Sequence, residues 1–482
     1  MRPYNQTLLC DFYELTMGNG YLLSGKKDMQ ACFDLYFRKV PDNGGYAIAA
    51  GLSEMIEFLE QLHFDKEDID YLRSKNQFSE EFLQYLADFK FECDVYAVEE
   101  GTPVFPNEPL VTVKGPAIQA QLLETMLLLT INHQSLIATK ANRIVRAAQG
   151  RPVFEFGSRR AQGSNAAILG ARAAFVGGCA GTACACCEQL YGIPAVGTMA
   201  HSWIQMYDTE LEAFEAYARY YPDNCILLVD TYNVVKSGIP NAIKAYENVL
   251  KPLGKRLKGI RIDSGDITYL TKKVRKMLDE AGLEDCTIFI SNSLDEYIIR
   301  DILLQGAQIN SFGVGERLIT SKSEPVFGGV YKLVATEKDG EYVPKIKLSE
   351  NVEKITTPGY KKIYRLFSNE TGNMVADLIA LHDEEFDFTK PITLFDPVYT
   401  WKKKTFENYR VEEILKPIYL NGKLVYKTPS VIESKKYCAE QVGKLWDEVK
   451  RFENPQTYYV DLSQKLWDVK HSLLSEGAGE KK

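Results

Sequence analysis

The sequence predicts an α/β protein: a parallel β/α barrel in the middle of the chain, an antiparallel layer drawn from segments on either side of it, and a helical cap at the end. Three observations support this. From Arg151 to about residue 330, short apolar runs alternate with amphipathic stretches of helix length, as in β/α units. Before Gly115 and after Gly329, apolar residues alternate with polar ones around Gly, Pro and Asn turns, as in antiparallel strands. At 482 residues the chain also exceeds what one ordinary core accommodates. The expected division is a discontinuous antiparallel domain over 1–117 and 331–395, the barrel over 118–330, and an extension over 396–482.

In chain order, DFYELTMGNGYLLSG has helical spacing with a glycine stop, ACFDLYFRKVP reads as an edge strand, and SEMIEFLEQL as an amphipathic helix. CDVYAVEEGTPVFPNEPLVTVKGP holds several short strands separated by Gly-Thr-Pro and Asn-Glu-Pro turns. AIQAQLLETMLLLTINHQSLIATKANRIVRAAQ is a long helical stretch ended by Gly150. Six strand candidates follow: PVFEFG, PAVGTMA, CILLVDTY, KGIRIDSGD, TIFISNS and INSFGVGERL. The first leads into an Ala-rich helix, and the next four into WIQMYDTELEAFEAYARYY, NAIKAYENVLKPL, YLTKKVRKMLDEAG and DEYIIRDILLQG. Beyond the barrel, VATEKDGEYVPKIKLS and YRLFSNETGNMVADLIALHDE are hairpins turning at Lys338-Asp339-Gly340-Glu341 and Asn369-Glu370-Thr371-Gly372. VIESKKYCAEQVGKLWDEVKRF is a helix of the cap, and SEGAGEKK after Leu474 reads as a frayed tail.

With 45% hydrophobic and 25% charged residues the composition is that of a soluble globular protein. A net charge of -8 argues against a general nucleic-acid binder, whose affinity rests on a basic surface. It leaves room for a small anionic substrate held by a local cluster of arginines. The first residues lack a basic start, a long apolar core and a cleavage site, and no apolar run approaches membrane-spanning length, so a cytoplasmic protein without membrane contact is expected. Ten cysteines without a disulfide framework suit a reducing compartment. Four of them, Cys179, Cys184, Cys186 and Cys187, crowd GGCAGTACACCEQLYG. Their neighbours are Gly and Ala and paired C-x-x-C knuckles are lacking, so they read as small packing residues rather than as a zinc or iron-sulfur site.

The carboxyl ends of the six strand candidates are polar or glycine throughout: Gly157-Ser158-Arg159-Arg160, His201-Ser202, Asp230-Thr231-Tyr232-Asn233, Asp263-Ser264-Gly265-Asp266, Ser291-Asn292-Ser293 and Gly313-Val314-Gly315-Glu316-Arg317. Buried parallel strands have no structural need of this, whereas barrel enzymes keep their site on that face. A lone histidine such as His201 in GTMAHSW reads by itself as a satisfied core residue; its place in this series makes it a site candidate. Gly313 and Gly315, with the hydroxyls of Ser291 and Ser293, suit a phosphate. Asp263 and Asp266 offer hard oxygens to Mg2+ or to ribose hydroxyls, and Asp266 is equally placed to cap the helix it precedes. Arg159, Arg160, Arg261 and Arg317 supply fixed positive charge for a carboxylate or phosphate. No Walker loop, no H-E-x-x-H and no defensible serine-histidine-acid order is present, which leaves phosphosugar chemistry.

EFGSRRAQG, GTMAHSW, VDTYN, GIRIDSGD, ISNS and SFGVGERL, with the earlier DFYELTMGNGY and EGTPVFPNEPL, resemble in order the motif series of the nicotinate phosphoribosyltransferase family over nearly the whole chain. The resemblance implies a dimeric enzyme with an irregular β/α barrel and a split α+β sandwich domain. Its implied reaction joins nicotinate to phosphoribosyl diphosphate with Mg2+, coupled to ATP hydrolysis, in NAD biosynthesis. By motif it implies that Asp11 and Tyr13 reach the pocket from the partner subunit, that Phe156 stacks on the pyridine ring, and that Arg159 and Arg261 line that pocket. It further implies that Asp263 contacts the ribose, that Gly313 and Gly315 with Ser291 or Ser293 hold the 5'-phosphate, and that ATP phosphorylates His201. Asp230 would orient that imidazole, and Gly197 and Ser202 would shape its loop.

Two departures stand out. After Gly181-Thr182 many relatives carry a polar pair, and here Ala183-Cys184 follow. Where related nicotinamide enzymes carry an aspartate that accepts from the amide, Ala183 cannot, which favours a carboxylate substrate. Nicotinamide phosphoribosyltransferase is therefore the nearest alternative and quinolinate phosphoribosyltransferase a weaker one. A metal or redox binding protein built on the cysteine cluster is the alternative of another class.

Overall fold

A computed structural model describes residues 5–351 and 354–477; the end of the expected frayed tail, 478–482, lies outside the described residues. The chain forms two compact units, one of Ile137–Pro325 with Ser430–Lys435, the other of Met1–Leu136, Val326–Pro429 and Lys436–Lys482.

The first unit is built on six parallel strands, β1 (Val153–Glu155), β2 (Gly181–Thr182), β3 (Ile226–Leu228), β4 (Gly259–Ile262), β5 (Thr287–Asn292) and β6 (Ser311–Val314), in the order β2-β1-β6-β5-β4-β3. Leu227, Ile260, Ile262, Ile288, Ile290 and Phe312 are wholly buried, because helices cover what an antiparallel sheet would leave wet. Three of its helices start at side-chain caps. Thr209 and Glu212 form a capping box at Glu210–Tyr220, and Asp266 and Asp295 cap Ile267–Glu280 and Glu296–Leu304.

One strand differs from expectation. PAVGTMA forms no strand; Ala195 alone bridges Thr182, and the two-residue β2 occupies the sheet edge instead. Thr182 donates to the Pro194 carbonyl at 3.0 Å and accepts from the Val196 N–H at 2.8 Å, after which the chain leaves the ladder. The stretch that follows is not one helix but two, His201–Gln205 and Glu210–Tyr220.

In the second unit the antiparallel strands from both ends of the chain share a sheet. Its order is Glu341–Pro344, Val330–Lys338, Gln30–Tyr36, Val111–Pro116, Asp94–Ala97, Lys416–Leu420 and Lys423–Leu424. Gln30–Tyr36, expected at an edge, lies inside this sheet, paired on both sides with six of its seven residues buried. The Lys338–Glu341 hairpin turns through positive φ at Asp339 and Gly340, which glycine and aspartate tolerate. The region after 396 is not a helical cap. Lys416–Leu420 pairs with Asp94–Ala97, Tyr409–Glu413 with Lys361–Ser368, and Val460–Leu462 with Met374–Leu381, burying Ile418, Tyr419 and Leu462. Among the described residues no helix is long and apolar enough to cross a membrane.

Candidate active site

The ends of β3, β4 and β5 and the segment Thr198–Ser202 meet in one polar network. Its hub is Asp230, two residues past β3, whose side chain is 1% exposed. One carboxylate oxygen faces His201 Nε2 at 3.2 Å; the other accepts from the Asp263 N–H at 3.0 Å and the Ser264 hydroxyl at 2.6 Å. A carboxylate offers only acceptors, so in the neutral imidazole His201 Nε2 carries the proton and Nδ1 bears the lone pair. The imidazole is 40% exposed, which leaves that nitrogen open to an incoming group. Two residues on, Trp203 anchors the same short helix by donating to the Ala213 carbonyl at 3.1 Å and packing on Tyr207 and Tyr217.

Arg261, on β4, ties the histidine segment to the sheet. Its Nε donates to the Ser291 hydroxyl at 2.7 Å, Nη1 to Thr198 Oγ1 at 3.2 Å and the Met199 carbonyl at 3.1 Å, and Nη2 to Asp263 Oδ1 at 3.3 Å. The Ser291 hydroxyl donates to the same Asp263 oxygen. Asp263 Oδ2 has no hydrogen bond among the described residues, and the side chain is 34% exposed.

Glu155, at the end of β1, is a buried acid that the sequence reading did not single out. It is fully buried and accepts from the Thr182 hydroxyl at 2.6 Å and from the Gly157 N–H, stapling two strand-end loops together. Burial pushes its pKa up, against the pull of those two bonds. Its only signal was an acid inside the apolar run VFEFG. Next to it, Phe156 meets Phe289 edge-on at 5.5 Å. A Cβ on Gly313 would stand 2.9 Å from both rings, so packing gives Gly313 a reason of its own to lack a side chain. Gly315 begins the short helix Glu316–Ile319.

The remaining expected residues are spread more widely. Arg159 is exposed on a 3-10 turn and has no hydrogen bond or ion pair among the described residues. Arg160 lies 4.0 Å from Glu316, and Arg317 is engaged by Asp295, the cap of the neighbouring helix. Asp266 Oδ1 accepts from the Tyr269 N–H at 2.7 Å and so acts as a helix cap. Ser202, Ser293 and Gly197 are exposed; Gly197 has open space around it and no positive φ, so nothing in the backbone demands glycine. Beside Asp230 and Ser264 lies a cavity of about 370 Å³ lined also by Tyr232, Asn233, Lys236, Tyr269 and Lys273.

Asp11 and Tyr13 belong to the other unit, where Asp11 is the N-cap of the helix Phe12–Leu23 and Tyr13 is 43% exposed. Glu14 beside them is fully buried. One of its oxygens accepts from the Thr125 hydroxyl and from the Thr125 and Asp11 N–H groups, while the other is buried without a partner, and burial pushes its pKa up to about 7.

Comparison with known proteins bears directly on this arrangement. The model of the nicotinate phosphoribosyltransferase N-terminal domain matches residues 8–132, that of the family itself residues 152–385, and that of its C-terminal domain residues 360–470. A nicotinate phosphoribosyltransferase of Bacillus subtilis is 42% identical over 472 residues, which cover 98% of this chain and 95% of that protein. The chain belongs to the nicotinate phosphoribosyltransferase family. Among solved structures, human nicotinic acid phosphoribosyltransferase matches with a TM-score of 0.84 and 30% identity, over 97% of this chain and 100% of that one. A nicotinate-nucleotide pyrophosphorylase from Pyrococcus furiosus matches with a TM-score of 0.69 and 26% identity, over 92% and 99%. As a member of the nicotinate phosphoribosyltransferase family the chain is an enzyme of pyridine nucleotide biosynthesis. Ala183, which follows Gly181-Thr182, is held by its N–H on the Glu155 carbonyl at 2.8 Å and offers no side-chain acceptor.

Proposed function

We propose that the chain joins nicotinate to phosphoribosyl diphosphate, giving nicotinate mononucleotide and diphosphate, and that ATP hydrolysis drives this step through a phosphohistidine at His201. The observation that carries the ATP arm is the His201–Asp230 pair, with Nε2 tied to a buried carboxylate and Nδ1 left exposed. Nδ1 attacks the γ-phosphorus of ATP, the bond to the bridging oxygen breaks, and ADP leaves; water later cleaves the N–P bond and releases phosphate. Asp230 holds the ring in the reactive tautomer and stabilises the charge that develops on it.

In the transfer step the pyridine nitrogen attacks the anomeric carbon while the bond to the diphosphate oxygen breaks. The work of the site is to align the two and to stabilise separating charge. Arg159 and Arg261 receive the nicotinate carboxylate, the Phe156 ring supports the pyridine, and Gly315 with Ser291 or Ser293 lies against the 5'-phosphate. Asp263 contacts the ribose. Its unpaired Oδ2 is a hard oxygen suited to Mg2+, which would take its other ligands from diphosphate and water; Asp266 is spent on its helix. When bound, that ion neutralises charge on the leaving group. Leu9, Phe12, Tyr13 and Met17, 36–43% exposed at and beside the first helix, support a homodimer in which Tyr13 and Asp11 serve the partner's site. The same reading closes the six parallel strands into an irregular barrel, stacks the antiparallel sheets as a sandwich, and places the enzyme in the cytoplasm.

Incubation with γ-labelled ATP tests the proposal: acid-labile, base-stable label is expected on the wild type and absent from His201→Ala. Equal labelling of both would remove His201 from the mechanism. Preferred turnover of nicotinamide in a paired assay would overturn the substrate assignment.

A further inference from the structure

We propose that Cys184, Cys186 and Cys187 form a three-thiolate site for one thiophilic metal ion of the Zn2+ or Cd2+ kind, separate from the Asp263 oxygens. Their spacing argues against a metal, but the backbone overrides the spacing. Just past Cys184 the chain turns into the helix Ala185–Tyr191, and this folds the three sulfurs together. All three lie within 4.8 Å of one another, with Cys184 and Cys186 Sγ 3.7 Å apart. Sulfurs bound to a common ion at about 2.3 Å stand roughly 3.8–4.0 Å apart in tetrahedral or trigonal geometry, so the thiols are nearly in place.

Cys187 belongs to a buried apolar cluster with Ala171, Phe175 and Ile193, and Cys184 and Cys186 pack at its edge. Seven of the ten cysteines are buried, as a small apolar residue should be, whereas Cys184 and Cys186 are half-exposed and face one another. The buried Cys187 forms the floor of the site, its Sγ 3.7 Å from the Ile168 carbonyl. The backbone beneath is fixed: the Cys184 N–H donates to Thr182 Oγ1 at 3.0 Å, and the Cys187 N–H to the Cys184 carbonyl at 3.0 Å. Binding replaces three S–H bonds by three metal–sulfur bonds and releases three protons, and the exposed side leaves a fourth position to water. An all-sulfur set prefers soft ions and rejects Mg2+, so this site and the oxygen site at Asp263 sort different metals. Among the described residues it is the only cluster of three such side chains with its ligand atoms this close.

The test uses the full chain, reduced and stripped of metal, titrated with Cd2+ while the ultraviolet sulfur-to-metal charge-transfer band is followed. One equivalent per chain is expected. Cys184→Ser and Cys186→Ser should each weaken binding by more than about tenfold, and the double variant should lose the band. Cys10→Ser, in the other unit, should bind as the wild type does. Mass mapping of alkylation on the wild type needs no variant, and bound Cd2+ should protect Cys184 and Cys186. A band that survives in the double variant, or failure of Cd2+ to protect either thiol, would overturn the proposal. Neither outcome touches the assignment of His201.

Discussion

Asp230→Asn is the sharpest probe of the site, because the substitution keeps shape and removes charge. The two donors on Asp230 Oδ2, the Asp263 N–H and the Ser264 hydroxyl, outnumber the one on Oδ1, so the amide oxygen is expected to stay with them. The amide NH2 then faces His201 Nε2, which must become an acceptor, and the ring proton moves to Nδ1, the nitrogen proposed to attack ATP. Loss of a charge-assisted hydrogen bond costs about 1.5–3 kcal/mol, roughly 10–150-fold in rate. Inverting the tautomer adds to this and takes the total towards about 10⁴-fold, the scale seen when an aspartate that orients a catalytic histidine is replaced by asparagine. The assay is the initial rate of acid-labile labelling from γ-labelled ATP, alongside the thermal midpoint. A near-native midpoint with at least a tenfold slower rate is expected. Labelling at the wild-type rate would refute the assignment of the tautomer and of Asp230 as its cause.

Other expectations can be checked in parallel. Because the Glu14 pKa stands near 7 against the usual 4.5, the native state keeps a proton that the unfolded chain gives up, and stability falls as pH rises through that window. Denaturation across pH should show Glu14→Gln matching the wild type near about pH 4 and exceeding it by about 2 kcal/mol near pH 8, after allowance for solvent screening. Asp266→Ala should cost about 1 kcal/mol of stability by loss of a helix cap, and a changed Mg2+ requirement in the turnover assay would contradict that role. Gly313→Ala drives a methyl to 2.9 Å from the Phe156 and Phe289 rings. It should cost about 1–3 kcal/mol in denaturant titration and raise KM for nicotinate more than for phosphoribosyl diphosphate.

Five of the six parallel strands were legible because strands buried on both faces must be apolar almost throughout, and CILLV and TIFIS carry that mark at short range. The sixth was misplaced for a local reason. β2 is only two residues long, and its Gly181, which looks like a loop residue, is required because the Pro194 carbonyl lies 2.5 Å from where a Cβ would sit. The strand Gln30–Tyr36 reads from sequence as an edge strand, and it carries an acid, Asp34. That carboxylate is buried, paired with Lys361 at 2.7 Å and accepting from Thr112 at 2.7 Å, and one partner lies far along the chain where no window reaches it. The site shows the same division. His201, Asp230, Asp263 and Ser291 stood out at expected strand ends and Arg261 among the arginines, and the five share one network. Glu155 did not stand out, and the cysteines stood out only as a cluster that reads as packing, because the meaning of both depends on which loops they join.

Arg261 spends two of its bonds on Thr198 and Met199, the segment that carries His201, and in the proposed function the same guanidinium is the group offered to a carboxylate. On that proposal a ligand that draws those N–H groups away would loosen the hold on the histidine, and pyridine occupancy and phosphoryl acceptance would become two readings of one equilibrium. Thermodynamic linkage then requires reciprocity: whatever factor phosphorylation of the histidine contributes to nicotinate affinity, nicotinate must contribute to the stability of the phosphorylated state. Paired calorimetric titrations on the phosphorylated and unmodified enzyme would give that factor. A value of unity would mean that the arginine serves the two tasks independently.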